Sequence, residues 1–234
     1  MNPHVSVIIP VLNGEKYLAA AIESVLEQTA RATQIIVIDD GSTDASSAIA
    51  EALAARYVEV QVVAQKNYGI SAARNRGIEM AQGNFLALLD ADDVWCADKL
   101  EKQLAAFEKN PALDLVFGYA QEFISPELPL EIQTKLKCET EPKPAMLPSA
   151  LLVKCEAFWR VGLFETQWRA GEFANWILRA DEVGLQRAML PDLIMRRRIH
   201  SANNGIRQRE KFNEYARMIK QSLDRRRAAG QDNP

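Results

Sequence analysis

Short apolar runs alternate with segments of helical periodicity through the first half of the chain. Val5–Ile9 and Ile35–Ile38 are continuous apolar runs of strand length, and Glu15–Gln28 between them repeats apolar residues at helical spacing. The same alternation predicts strands at Val58–Val63, Phe85–Leu89 and Leu115–Tyr119, and helices from Asp44 to Ala55, at Ser71–Ala81 and at Lys99–Lys109. Continuous apolar strands separated by helices indicate an α/β fold, with a mostly parallel sheet and helices on both faces.

The second half of the chain has a less regular pattern. Ser125–Pro148 contains five prolines and many charges, which predicts an extended or loop excursion. Ala150–Val153 and Leu185–Leu190 are predicted as strands, and Glu172–Val183 as a helix. A final amphipathic helix is predicted at Arg207–Arg227, with one apolar stripe formed by Phe212, Tyr215, Ile219 and Leu223.

Length and composition indicate a single globular domain followed by this helix. The 234 residues are 48% hydrophobic and 25% charged, and the net charge of −3 argues against a general nucleic-acid partner. Three cysteines without CxxC spacing argue against a structural zinc or a disulfide framework, which favours a reducing compartment. The first apolar run is a poor signal peptide and too short to span a bilayer, so we expect a cytoplasmic protein.

Three carboxylates, Asp90, Asp92 and Asp93, fall within four residues directly after the predicted strand Phe85–Leu89. Clustered carboxylates repel each other unless a charge neutralises them, and a divalent cation with oxygen ligands does so. Acidic residues are also ordinary at the start of a helix, so a solvated helix end is the other interpretation. Ligands of parallel sheets bind beyond the carboxyl ends of the strands, and this position favours a metal or ligand site.

Two further segments place polar residues beside predicted strand ends. Asp39–Ser42 has the composition of a tight turn. Alternatively, one of its carboxylates accepts a hydrogen bond from a ring N–H of a nucleobase. Arg74 falls in the first turn of the helix that Ser71 begins, where the helix dipole favours acids. This local conflict indicates an anionic or carboxylate partner for Arg74, the alternative being a surface arginine.

A basic segment near the end of the predicted domain carries one of the two histidines. Arg196–Arg198 directly precede Ile199 and His200. The run suits either a bound pyrophosphate or a solvated basic loop, and a lone histidine is usually structural. Residues 196–227 carry 11 basic and 3 acidic residues, so the predicted final helix has two interpretations. It docks its apolar stripe on the domain, or it attaches through 207–227 to an anionic membrane.

Taken together, these segments resemble family 2 glycosyltransferases, which have the GT-A nucleotide-diphospho-sugar fold. The matched segments follow the family's order and spacing: Val5–Asn13, Ile36–Asp44, Asn67–Gly77 and Phe85–Asp93, followed by Trp95, Lys99–Glu101 and Gln103. Weaker matches are Phe158–Glu165, Glu172–Arg179 and Arg198–Asn203. The resemblance implies a Rossmann-like domain with a nucleotide-sugar-binding half at 1–120 and an acceptor-binding half at 121–206, and 207–234 as a basic C-terminal helix and tail.

The resemblance also implies an activity and a set of site residues. The expected reaction is inverting, metal-dependent transfer of a sugar from a nucleoside-diphosphate sugar, UDP being favoured, to an acceptor hydroxyl in polysaccharide or glycoconjugate synthesis. The acceptor would be a sugar, a lipid-linked molecule or a protein. The implied donor-binding residues are Pro10, Asn13, Asp40, Arg74, Asp90 and Asp92. The implied ligands of Mn²⁺ or Mg²⁺ are Asp92, Asp93 and His200.

The sequence departs from the family at the expected catalytic base. Many members have Glu-Asp at this point, whereas here Glu172 is followed by Phe173, and Asn175 cannot act as a base. Glu172 is therefore the candidate base. Two alternatives remain open, a non-catalytic nucleotide-sugar-binding protein and a sugar-1-phosphate nucleotidyltransferase. The second lacks support because the segment after the first strand is not a glycine-rich basic loop.

Overall fold

The computed structural model describes residues 3–168, 170–200 and 212–228, and a nine-stranded sheet organises them. The strands are β1 (Val5–Val11), β2 (Gln34–Asp39), β3 (Val60–Ala64), β4 (Phe85–Leu88), β5 (Val94–Trp95), β6 (Leu115–Ile124), β7 (Lys143–Ala145), β8 (Leu152–Lys154) and β9 (Arg187–Ile199). The helices are α1 (Leu18–Leu26), α2 (Ser46–Ala54), α3 (Ile70–Glu79), α4 (Lys99–Lys109), α5 (Leu130–Gln133), α6 (Cys155–Val161), α7 (Glu172–Glu182) and α8 (Phe212–Ala228). Strand order is β3-β2-β1-β4-β8-β6-β9-β5, with β7 paired to β6.

Parallel pairing in the first half aligns the carboxyl ends of four strands. β1 pairs in parallel with β2 and β4, and β2 pairs in parallel with β3. Every residue of β1 and β2 is buried, as the continuous apolar runs predict. The loops that follow β1, β2 and β4 therefore leave the sheet at one edge, and this edge carries the acidic residues singled out in the sequence.

The first strand runs two residues further than its proline suggests. The apolar run Val5–Ile9 ends at Pro10, which predicts that the strand stops there. This prediction is wrong, because β1 continues to Val11 and Pro10 pairs with Ile38. Ile8 accepts a hydrogen bond from Leu89 N on the β4 side, and the β1–β4 register ends there. Alternate residues of a parallel strand bond to the same neighbouring strand, so the nitrogen of Pro10, like the backbone of Ile8, is on the β4 side. It lies beyond the end of β4, where the sheet needs no N–H donor.

The second half completes the same sheet and crosses the predicted boundary at residue 120. β6 extends to Ile124, beyond the predicted Tyr119, and β9 runs 13 residues from Arg187 beside it. β5 pairs with β9, Val94 lying opposite Arg196, so the end of β9 returns to the loop that holds the acidic cluster. The predicted excursion at 125–148 contains α5 and β7, and the sequence pattern did not predict α6.

The final described helix docks through a different face from the predicted stripe. Met218 and Ser222 are buried, and Ser222 and Arg225 both hydrogen-bond Glu182 at the end of α7. The predicted stripe residues Tyr215, Ile219 and Leu223 are 46%, 55% and 41% exposed; residues 207–211 and the side chain of Phe212 lie outside the described part. In the described residues, no helix has the length and apolar character needed to cross a bilayer.

A buried lysine on α4 lies against the core without a carboxylate partner among the described residues. Lys99 Nζ donates to Gln103 Oε1 at 2.6 Å and lies 4.1 Å from the ring centroid of Trp95. Burial lowers the pKa of the Lys99 ammonium well below its usual value. At pH values between the lowered pKa of the folded protein and the pKa of the unfolded chain, the folded protein therefore binds fewer protons at Lys99 than the unfolded chain does.

Lys99 should make the protein more stable as the pH rises from 7 towards 10. Because the unfolded chain binds more protons than the folded protein between the two pKa values of this amine, the free energy of unfolding should rise with pH, by at most about 1.4 kcal/mol per pH unit from this group. Urea unfolding at pH 7, 8 and 9 should show this increment in the wild type and lose it in Lys99→Met. Lys109→Met, at an exposed position on the same helix, is the matched control; equal slopes in all three proteins would contradict the assignment.

Candidate active site

The loops after β1 and β2 are held together at the carboxyl edge by the side chain of Asn13. Asn13 adopts a left-handed backbone conformation with φ 54°. Its N–H donates to Ser42 Oγ at 2.9 Å, and its Oδ1 accepts from Thr43 N at 2.8 Å. Asp40 N donates to Val11 O at 2.8 Å, one residue beyond Pro10. Pro10, Asn13 and Asp40, which the resemblance assigns to the donor site, therefore lie on adjoining strand ends.

The carboxylate of Asp40 organises the segment that leads into α3. Asp40 Oδ1 accepts from Gln65 Nε2 at 2.7 Å and from Tyr68 N at 2.9 Å, and Oδ2 accepts from Gly69 N at 2.8 Å. A carboxylate has about four acceptor positions, so these three bonds leave room for one more donor. Asp40 thereby fixes the start of α3, the helix that carries Arg74.

Asp90 and Asp93 are both tied to Ser149, which lies in a 3-10 turn before β8. Ser149 Oγ accepts from Asp90 N at 3.1 Å and donates to Asp93 Oδ2 at 2.8 Å. Asp93 Oδ1 also accepts from Arg198 N at 3.1 Å, and the residue is only 6% exposed. Burial raises the pKa of the Asp93 carboxyl well above its ordinary value, and the charges of Asp92 and Asp90 raise it further. Both carboxylate oxygens of Asp93 thus accept hydrogen bonds from other parts of the chain.

Asp92 makes its contact with His200 across the cluster. His200 Nε2 lies 3.0 Å from Asp92 Oδ2, and the His200 ring lies against that of Tyr17 with centroids 4.8 Å apart. Arg198 supports the arrangement, because its Nε donates to Asp92 O at 3.0 Å while its guanidinium lies between the rings of Tyr17 and Phe123. The structure therefore brings together Asp92 and His200, which the sequence separates by more than 100 residues.

The donor set suits a hard divalent cation that also takes ligands from a substrate. Mg²⁺ and Mn²⁺ accept carboxylate oxygen, and Mg²⁺ usually keeps waters and takes one or two carboxylates with substrate phosphates. Within the described residues, no group of three histidine, cysteine or acidic side chains forms a ready-made metal site. Asp92 offers a carboxylate oxygen of the kind that such a site takes, and the roles of His200 and Asp93 as ligands stay predictions.

Arg74 joins the acidic cluster to the candidate base. Its Nη2 lies 2.6 Å from Asp90 Oδ1, and its Nη1 lies 2.6 Å from Glu172 Oε1. Burial opposes the charge of Arg74, but the two carboxylates more than offset it, so the pKa of its guanidinium is raised. For Asp90 the balance is the reverse, since burial raises the pKa of its carboxyl despite the nearby Arg74. The carboxylate partner predicted for Arg74 is therefore present twice.

Phe173, the residue after Glu172, packs among aromatic side chains of the core. Phe173 is buried and its ring lies 6.3 Å from that of Phe117 in an edge contact and 6.4 Å from that of Trp176 in a stacked one. Position 173 thus belongs to the core, and Glu172, the first residue of α7, provides the carboxylate at the site. Arg179 donates to the carbonyls of Val161 and Leu163, so it holds the segment that precedes α7.

Some residues that build the site gave no usable signal in the sequence. Ser149 follows the proline-rich excursion, and nothing in its neighbourhood links it to Asp90 or Asp93. Asn75 stands beside Arg74 within the matched segment, but its two bonds to Phe164, Nδ2 to O at 2.8 Å and Oδ1 from N at 2.9 Å, join segments 89 residues apart. Only the folded chain reveals such long-range pairs.

Comparison with known protein families agrees with this architecture. The model of glycosyl transferase family 2 matches residues 6–162, which is more than half of the chain. The chain belongs to glycosyltransferase family 2. Its matched region contains Pro10, Asn13, Asp40, Arg74 and the acidic cluster, and it ends before α7.

Curated relatives are similar over about half of the chain. The "Putative glycosyltransferase EpsH" of Bacillus subtilis is 39% identical over 122 residues, which are 52% of this chain and 35% of the relative. The "Putative teichuronic acid biosynthesis glycosyltransferase TuaG" of B. subtilis is 42% identical over 120 residues, or 51% of this chain and 48% of the relative. The matched regions thus span less than half the length of these relatives.

Solved structures confirm the GT-A fold. The chain superimposes on S. aureus TarS 1–349 in complex with UDP with a TM-score of 0.73 at 19% identity, covering 94% of this chain and 65% of that one. The TarS complex with UDP-GlcNAc gives a TM-score of 0.71 at 18% identity, covering 86% and 60%. At this identity the likeness establishes the fold, and the predicted α/β sheet of the GT-A type is correct.

Proposed function

We propose that this chain binds a UDP-sugar and transfers its sugar to an acceptor hydroxyl with inversion at the anomeric carbon. The observation that carries the proposal is the contact of Arg74 with both Asp90 and Glu172, which puts the candidate base beside the acidic cluster. Family membership supports glycosyl transfer and disfavours the nucleotidyltransferase alternative. The name of TuaG, which refers to teichuronic acid biosynthesis, supports a role in polysaccharide synthesis. We propose a sugar, a lipid-linked molecule or a protein as the acceptor, in polysaccharide or glycoconjugate synthesis.

The proposed donor site occupies the carboxyl ends of β1, β2 and β4. Pro10, Asn13 and Asp40 would lie beside the nucleoside, and the remaining acceptor position of Asp40 suits the N3–H of uracil. The UDP complexes of the similarly folded TarS support UDP as the nucleotide. Asp90 would lie near the ribose or the sugar, and Asp92 near the diphosphate.

Asp92 and His200 would hold Mn²⁺ or Mg²⁺, with Asp93 behind them. A bound divalent cation would supply Lewis-acid stabilisation of the charge that develops on the leaving diphosphate. Glu172 would accept the proton of the acceptor hydroxyl as that oxygen attacks the anomeric carbon from the face opposite the leaving group. A single displacement of this kind inverts the anomeric configuration.

Asp92→Asn and Asp93→Asn should separate metal binding from structural support. In calorimetry with UDP, Asp92→Asn should reduce the affinity in Mn²⁺ to the level that the wild type has in EDTA, with an unchanged melting temperature. Asp93→Asn should also lower the free energy of unfolding by about 1–3 kcal/mol, because one of its two buried acceptor bonds is lost. Wild-type affinity that is equal with and without metal would contradict the proposed metal dependence.

Glu172→Gln should lower turnover while leaving donor binding almost unchanged. Glutamine keeps the shape of the side chain but cannot accept the proton, so hydrolysis of UDP-GlcNAc or UDP-glucose in Mn²⁺ should slow by about 10²–10⁴-fold. Glu165→Gln is the control, because Glu165 lies in the segment before α7 and accepts a hydrogen bond from Trp168 Nε1. Turnover near the wild-type rate would move the base elsewhere, with Asp90 next. UDP binding without any wild-type turnover would favour the non-catalytic alternative.

We propose that α8 attaches the protein to an anionic membrane from the cytoplasmic side. Tyr215, Ile219 and Leu223 form an exposed apolar row, and Lys220 and Arg227 flank it. Basic residues near an anionic surface contribute roughly 1 kcal/mol each, in addition to the apolar contact.

An Ile219→Ser/Leu223→Ser variant should lose binding to anionic vesicles. The wild type should co-sediment with vesicles of 30% phosphatidylserine, and less so in high salt, because both the apolar row and the charges contribute. Val58→Ser, at a 91% exposed position after α2, is the matched control and should bind as the wild type does. Equal sedimentation of all proteins, or equal binding to uncharged vesicles, would remove the membrane proposal.

A further inference from the structure

The guanidinium of Arg74 is enclosed between carboxylates from two distant parts of the chain. Asp90 follows β4, and Glu172 begins α7, so the bridge joins the two halves of the domain. Arg74 is only 1% exposed, and its guanidinium lies 5.8 Å from the centroid of the Phe164 ring. Each terminal nitrogen of Arg74 therefore makes a short contact with a different carboxylate.

A guanidinium is suited to fix the separation of two carboxylates. Its N–H groups form a rigid, planar fork, whereas the ammonium of lysine is a single point charge. Without the bridge, the Glu172 side chain would regain its rotamer freedom and the negative charges of Glu172 and Asp90 would repel. The position of the Glu172 carboxylate relative to the acidic cluster thus depends on Arg74.

The helix that carries Arg74 is itself fixed at both sides of this residue. Its first turn follows Tyr68 and Gly69, whose N–H groups donate to Asp40. The residue after Arg74, Asn75, exchanges two hydrogen bonds with the backbone of Phe164, in the segment before α7. These bonds fix the position of the Arg74 backbone relative to Asp40 and to the segment before α7.

We infer that Arg74 is a positioning residue that sets the candidate base Glu172 against Asp90, and that it is not a ligand of the donor diphosphate. The inference rests on the proposed role of Glu172 as the base. An arginine that binds the donor diphosphate would have to present its guanidinium to the cleft. Arg74 is buried instead, and both of its terminal nitrogens contact carboxylates. The reaction would depend on Arg74 through Glu172, and donor affinity would not.

Variants at Arg74 should therefore separate turnover from nucleotide binding. Arg74→Met should reduce UDP-GlcNAc or UDP-glucose hydrolysis by about 10²-fold or more, as displacement of a general base does, while the Kd for UDP in Mn²⁺ stays within about twofold. Arg74→Lys should recover part of the rate, because it keeps the charge but not the fork. Arg76→Met, at an exposed position on the same helix, should behave as the wild type. A tenfold or larger loss of UDP affinity in Arg74→Met would overturn the inference.

A double variant tests whether Arg74 acts through Glu172. In Arg74→Met/Glu172→Gln, the rate should be within about threefold of Glu172→Gln alone, whereas multiplied losses would overturn the inference. The double variant also removes one of the two unpaired carboxylates, so its melting temperature should exceed that of Arg74→Met and provide a folded protein for the comparison. A wild type that fails to bind UDP would instead refute the proposed function, and a wild type that binds UDP without turnover would refute the base and its positioning together.

Discussion

The parallel pairing of β1 with β2 and β4 is the constraint on which the rest of the structure depends. These strands are buried almost throughout, so their register is fixed by apolar contact on both faces and by the backbone ladder. Parallel pairing brings three carboxyl ends to one edge, and each is followed by a loop whose side chains bond to another loop. Asn13 joins the first two loops, and Asp40 determines where α3 begins. The site is therefore built on rigid strand ends.

The same constraint concentrates negative charge at one edge of the sheet. An arginine and a few hydrogen-bond donors from distant parts of the chain stabilise these carboxylates. Arg74 pairs with both Asp90 and Glu172, while Ser149 Oγ and the backbone N–H of Arg198 each donate to an oxygen of Asp93. Carboxylates gathered in this way would otherwise be unstable in their ionised form. Asp92 completes the cluster at its outer side, where its Oδ2 lies 3.0 Å from Nε2 of His200.

The fold was largely predictable because the first half of the chain uses strong periodic signals. Continuous apolar strands and alternating helices predicted β1 to β4, α1 to α4 and the start of β6 within a few residues, but not the two-residue strand β5. The matched segments predicted the GT-A fold. The end of β1 was predicted two residues too early at Pro10. A proline ends a strand only where a neighbouring strand needs the N–H that proline lacks, and β4 has already ended there. On α8 the sequence identified the apolar row, but Met218 and Ser222 face the domain, and Arg225 pairs with Glu182. Which face of an amphipathic helix is covered depends on its partners, and these are not in the local pattern.

The sequence also identified the candidate residues of the site without their contacts. Asp92 and His200 were named from separate motifs, and the prediction of a carboxylate partner for Arg74 came from its unfavourable place in a helix. The identity of that partner, and the part played by Ser149, depend on segments far apart in the chain. Local rules detect a residue whose environment is unusual, whereas the environment itself is a property of the tertiary structure.

The start of α7 explains how the chain can differ from its family at the expected base and still present a carboxylate. Consecutive residues of a helix project about 100° apart, so Glu172 and Phe173 cannot face the same surroundings. Phe173 enters the aromatic core beside Phe117 and Trp176, and this packing fixes the rotation of the helix. Glu172 is then directed to Arg74 by the same rotation. The aromatic substitution and the retained acid are thus one arrangement, in which core packing at one position orients the carboxylate at the next.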